Sequence, residues 1–282
     1  MKRNVIRRKP VEPKSGADDA SDSRDSGVQS VDRALSIIEV LAEDDEGYRL
    51  SDLAVRTGLS TSTAHRLLAT LEKRRFVQFD RTESKWHVGA QSFAVGATFT
   101  RRRNFTAQAM PYLRKLRDLT RETANLAVVD DESIIVLMRI ESREIMRSLT
   151  KVGGRVAMVA SGVGKAVLAT YPDEDVSAII RRHGMPRLTE KSIVRASDLF
   201  RELAAIRRQG YAVDNEEARM GLRCVAAVVF NDCSEPLAAI SVSGMTSRVT
   251  EERLPELGRA VREIASELTV AIGGVMPPAN KA

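Results

Sequence analysis

Four side chains in the last third of the sequence carry most of its chemical potential: Asp214, Cys224, Ser241 and Ser243. A thiol, a carboxyl group and two hydroxyls permit two different activities. One is nucleophilic attack by Cys224 on a carbonyl compound; the other is a polar ring that holds a small acid unchanged. A nucleophilic cysteine needs a basic neighbour to lower its pKa. The three histidines are poorly placed for that: His65 and His87 belong to an N-terminal helical region and His183 to a charged helix end. Arg223 adjoins Cys224, but neighbours on a regular strand point to opposite faces. The residues therefore favour binding over catalysis, and the chain is read as no enzyme. Ordinary turn and strand hydrogen bonds remain the plain alternative for these polar groups.

The surrounding pattern says how they are held. Val225 to Phe230 and Leu237 to Val242 are apolar, β-branched-rich runs separated by the turn residues Asn231 to Pro236, which predicts two buried strands. Ser241 and Ser243 share one face of the second. Upstream, Ser161-Gly162-Val163-Gly164-Lys165 precedes a helix read from Ala166 to Thr170. It resembles a phosphate loop only superficially, because Val159 stands where the earlier glycine belongs and Ala166 replaces the magnesium-holding hydroxyl. A nucleotide site is excluded; a helix start with backbone N–H groups suited to a carboxylate remains. The spacing predicts a helix from Pro111 to Thr123 with Leu113, Leu116 and Leu119 inward. A hairpin of Asn125 to Val129 with Ile134 to Ile140 follows, then a short strand, Val156 to Val159. Further helices are read over Asp173 to His183, Ser197 to Gln209, and from Thr250 to about Ile272. The fold class is α+β with a largely antiparallel sheet.

The N-terminal part is of another kind. Residues 1–27 are polar and proline-containing and are read as a disordered tail. Val31, Leu35, Ile38 and Leu41 recur at helical spacing. A short helix from Leu50 to Arg56, a turn at Thr57-Gly58-Leu59 and a third helix capped by Ser60 make a helix-turn-helix. Thr61, Ser62, Thr63, His65 and Arg66 open that third helix, where a recognition helix meets base edges and phosphates. Phe76 to Val88 reads as a hairpin, or wing, with Arg81 and Lys85 near its tip for backbone contacts. A small protein-binding helical domain is the competing reading. Residues 28–90 form this domain, and residues 91–104 a linker helix whose Phe93, Val95, Ala97 and Phe99 surround its circumference and call for a second subunit. Residues 105–275 form the second domain.

Composition agrees. The 282 residues are 43% hydrophobic and carry a net charge of +6, which allows a polyanionic partner. Two cysteines, Cys224 and Cys233, fit a reducing cytosol, and no run reaches membrane-spanning length. A cytoplasmic protein working at the nucleoid, without a membrane partner, is expected.

Gly210, Asp214, Glu217, Cys224 and the run to Asn231 match a signature of the IclR family of bacterial transcription regulators, which the chain resembles from about Gln29 to Gly274. MVASGVGKAVLA, GYAVDNEEARMGLRCVAA and EPLAAISVSGMTSRVT look like the branch of that family answering to small 2-oxo acids such as glyoxylate. The resemblance implies a winged helix-turn-helix, a GAF-like effector domain, dimers that pair into tetramers, and a pseudo-palindromic operator in double-stranded DNA. By the same carry-over, Gly162 and Val163 supply backbone N–H groups, Asp214, Cys224, Ser241 and Ser243 the polar ring, and Val156 and Leu222 apolar wall. Ser148 stands where that branch has methionine, and Val163 where it has alanine, so the effector's size is open. Val159 replaces a histidine common in the family; neither metal nor cofactor is expected.

Overall fold

The computed structural model describes residues 28–102, 105–130, 132–142 and 151–278. The proposed tail and Ser148 lie outside them. The chain forms two compact units divided between Gly96 and Ala97.

In the first unit α1 (Gln29–Glu43), α2 (Leu50–Thr57) and α3 (Thr61–Lys73) are followed by an antiparallel hairpin of β1 (Val77–Asp80) and β2 (Lys85–Val88). Ile37, Leu41, Leu53, Leu68, Val77 and Trp86 are its core. The face of α1 differs from the sequence expectation. Ile37 and Leu41, four apart, point inward, whereas Val31 and Leu35 are exposed. Gly58 ends α2 at φ +66° and its N–H reaches the Ala54 and Val55 carbonyls, a left-handed cap that glycine takes without strain. α4 (Ala90–Arg102) straddles the division, with Phe93 and Val95 exposed.

The second unit runs α5 (Phe105–Thr120), β3 (Thr123–Asp130), β4 (Ser133–Ile140), β5 (Arg155–Ala157), α6 (Gly162–Leu168), α7 (Asp173–His183), α8 (Ala196–Gln209), β6 (Ala212–Asn215), β7 (Leu222–Phe230), β8 (Pro236–Met245) and α9 (Leu254–Ala271). Its six strands lie in the order β5-β4-β3-β8-β7-β6, and every neighbouring pair is antiparallel. α5 and α9 cover one face through Leu113, Leu116, Val261 and Ile264; α6, α7 and α8 cover the other through Val167, Leu168, Val176 and Leu203. α5 begins six residues before Pro111, so the proline lies inside the helix. Buried Phe105 and Ala109 hold the turn that a proline start would have excluded. Leu119 is exposed, and Thr120 takes the inward position. β5 is shorter than read, because Met158 and Val159 leave the sheet and enter the core. α6 starts at Gly162, not Ala166, since Ser161 Oγ accepts the Gly164 N–H at 3.1 Å, a serine cap of the usual kind. A side chain on Gly164 would stand 2.2 Å from the Met158 carbonyl oxygen, so only glycine fits.

The sheet carries one irregularity between β3 and β4. β3 and β4 pair as Leu126↔Met138 and then Ala127↔Val136, which leaves Leu137 as an extra residue. Such a bulge reverses the alternation of side chains beyond it. Leu137 and Met138 both pack towards the α5/α9 layer, and the next residue, Arg139, comes round to the α6 face.

Candidate ligand-binding site

The strand register assembles the site. Asp214 pairs with Cys224, Cys224 with Ser243, and Ser243 with Thr123. The adjacent row is Ala226, Ser241, Asn125 and Arg139. Residues two apart on a strand share a face, so both rows lie side by side under α6. Between sheet and helix is a small cavity of about 80 Å³. Its polar lining is Asn125, Arg139, Ser161, Asp214, Cys224, Ser241 and Ser243; Ala127, Val136, Val156, Val163, Ala218 and Leu222 supply carbon. Gly162 brings backbone to the same wall, and a side chain there would meet Cys224 Sγ at 3.2 Å.

The polar groups are held, not loose. Asn125 Nδ2 donates to Ser241 Oγ at 3.4 Å and to Ser243 Oγ at 3.3 Å. Asp214 Oδ1 accepts the N–H of Glu217 at 2.7 Å and of Ala218 at 3.2 Å. Behind the cavity, wholly buried Lys165 pairs with Glu217 and, at 3.4 Å, with Glu202. This is the lysine of the loop that superficially suggested phosphate binding. Burial, followed by the nearby charge of Glu217, raises the Asp214 carboxyl to about 6. Burial, followed by the Asp214 charge, raises the Cys224 thiol to about 11, although hydrogen bonds with Ser243 and Ser241 oppose the rise. Such a thiol stays protonated at neutral pH and is no nucleophile. Arg223 turns away and binds Asn215 Oδ1 at 2.7 Å and the Val249 carbonyl at 2.8 Å. On β4, burial pulls the Arg139 guanidinium below its ordinary value, and Glu141 opposes the shift.

The structure thus brings together eight of the nine residues proposed for the effector: Val156, Gly162, Val163, Asp214, Leu222, Cys224, Ser241 and Ser243. Sequence reasoning passed over Asn125, Arg139 and Lys165. The first two had a visible signal, since Asn125 stands between Ala124 and Leu126 and Arg139 between Met138 and Ile140, each interrupting an apolar stretch. A wider groove at the outer edge of the sheet, about 570 Å³, is bridged by Arg155 with Asp130 at 2.7 Å and by Arg182 and His183 with Glu132. Among the described residues, no group of three or more His, Cys, Asp or Glu is placed to hold a metal ion, and no helix is long and apolar enough to cross a membrane.

In the first unit Thr61, Ser62, His65 and Arg66 are exposed along the start of α3. Ser60 caps the helix by accepting the Thr63 N–H at 3.2 Å and donates to Thr63 Oγ1 at 2.8 Å. Those two hydroxyls are engaged in holding the helix start. Arg81 is exposed in the hairpin turn, and Lys85 Nζ lies 3.3 Å from Glu83.

Comparison with known proteins agrees with this architecture. Residues 30–81 match the IclR helix-turn-helix domain and residues 97–270 the bacterial transcriptional regulator IclR C-terminal domain. The chain is 41% identical over 249 residues to the acetate operon repressor of Salmonella typhimurium, covering 88% of this chain and 91% of that one. It is 37% identical over 262 residues to the HTH-type transcriptional regulator BhcR of Paracoccus denitrificans, covering 93% and 94%. The crystal structure of an IclR-type regulator from Alicyclobacillus acidocaldarius superimposes with a TM-score of 0.74 at 26% identity, covering 88% and 100%. With both halves matched in order, the chain belongs to the IclR family of bacterial transcriptional regulators.

Proposed function

We propose that the protein is a repressor that binds a pseudo-palindromic operator as a dimer or tetramer and answers to a small 2-oxo acid, glyoxylate or a close analogue. The observation that carries the effector reading is the pair of polar rows meeting α6 around a cavity of about 80 Å³. The repressor reading is supported by the acetate operon repressor, similar over 88% of the chain. An effector acts on DNA affinity only through a difference in its affinity for two states of the protein. The exposed apolar side chains of α4 support subunit contact along the linker.

The effector reading is tested by calorimetric titration of the full chain with glyoxylate, pyruvate and oxaloacetate. Ser241→Ala removes a hydroxyl that Asn125 holds in place. One hydrogen bond to a charged ligand is worth about 1.5–3 kcal/mol, so affinity should fall about 10- to 100-fold. Unchanged affinity would remove Ser241 from the site.

On the DNA side, Arg66 is exposed two residues beyond buried Ala64, on the outer side of α3. Arg66→Ala should weaken operator binding by about 1–3 kcal/mol if it reads a base, or lower the salt slope by about 1 if it meets phosphate. Fluorescence anisotropy over a salt series separates the two. Binding that is independent of salt and of Arg66 would end the assignment of α3 as the DNA reader.

A further inference from the structure

The effector cavity contains a full positive charge that the family signature residues do not account for. The Arg139 side chain is 9% exposed and lines the cavity beside Asn125 and Ser241. It reaches that wall because of the bulge at Leu137. Unbulged, the alternation from Val136 would turn residue 139 towards α5 and α9 and leave Met138 facing the site. A Glu141 carboxylate oxygen lies 3.5 Å from Arg139 Nε, and the Glu141 side chain is 73% exposed.

We propose that Arg139 takes the effector's carboxylate and so fixes its direction in the cavity, with the oxo end, or its hydrate, towards Asp214 and Cys224. This rests on the reading of the cavity as an effector site. The other candidate for the carboxylate is the start of α6. That helix has seven residues, and a helix end offers a partial charge of only about half a unit. A guanidinium carries a whole charge and matches both carboxylate oxygens with paired N–H donors. Asp214, at the far end of the polar rows, repels a carboxylate whenever it is ionised and favours the opposite orientation to the one the α6 start would impose.

The test titrates the full-length protein and its Arg139→Gln and Arg139→Lys variants with three probe sets, and records the melting of each ligand-free variant. The probes are the 2-oxo acids glyoxylate, pyruvate and oxaloacetate; acetate and malonate, which lack the oxo group; and uncharged methyl pyruvate. Arg139→Gln should weaken 2-oxo acid binding at least tenfold, Arg139→Lys should keep part of it, and methyl pyruvate should bind both variants as it binds the parent. Equal weakening of the ester would show that Arg139 merely shapes the wall, and would overturn the proposal. Unchanged 2-oxo acid binding in Arg139→Gln would overturn it while leaving the effector reading intact. If acetate or malonate binds in an Arg139-dependent manner and no 2-oxo acid does, the role of Arg139 stands and the 2-oxo acid reading falls. Should no carboxylate bind the parent protein, both fall together.

Discussion

Replacing Lys165 with methionine should destabilise the second unit by about 3–5 kcal/mol, the usual result of removing one partner from a buried ion pair. The lysine is wholly inaccessible, and Glu217, its main partner, is buried beside Asp214. Loss of the ammonium leaves two carboxyl groups facing each other in low dielectric, where each unpaired charge is costly. Methionine is unbranched and only one atom shorter, so the effect is mainly electrostatic and not that of a large cavity. Urea unfolding of the two proteins measures it. Lys165→Met combined with Glu217→Leu should recover much of the loss, because exchanging a whole buried pair for carbon is often neutral. A single variant as stable as the parent would mean that the pair is not buried as described.

Asp214→Asn should have the opposite sign. In the folded protein the carboxyl titrates near 6 against an ordinary value of 3.8, so the native state holds its proton more tightly than the unfolded chain. Between those values the folded protein binds more protons, and stability falls as pH rises through that window. The penalty is complete above about pH 6 and amounts to about 3 kcal/mol at most. Asparagine keeps an oxygen to accept the Glu217 and Ala218 N–H groups and carries no charge. The variant should therefore gain up to about 3 kcal/mol at pH 7.5 and nothing near pH 4, as read by urea unfolding across that range. A gain independent of pH would assign the effect to packing. The native protein carries this cost in the lining of its cavity, as expected of a residue retained for binding.

Local pattern was sufficient for much of the molecule. The spacing of Ala64 and Leu68, the serine cap before Thr61 and the glycine turn at Gly58 were legible because each acts within one or two helical turns. The hairpin strands β7 and β8, with Ser241 and Ser243 on one face, were legible for the same reason. What failed were features decided elsewhere in the chain. Val31, Leu35, Ile38 and Leu41 form a good helical stripe, yet the core takes Ile37 together with Leu41 and leaves Val31 and Leu35 exposed, a choice made by the elements packed against α1. Pro111 looks like a helix start, but Phe105 and Ala109 anchor an earlier turn. Asn125 becomes a site residue only because β3 lies next to β8, 116 positions away from its partner Ser241. Arg139 needs, in addition, a bulge that no periodicity announces.

The neighbouring position of β3 and β8 also bears on synthesis. The first unit is complete by Gly96, and its hairpin is local. The sheet of the second cannot close until β8 has been made, since β8 is the strand that joins β3 to β7. At ~5–20 residues per second of translation, the 116-residue span from Asn125 to Ser241 takes about 6–23 s. During that time a chain on the ribosome carries a completed helix-turn-helix unit and an unfinished second unit. The effector response proposed above would therefore begin later in the life of each molecule than the folding of its helix-turn-helix unit.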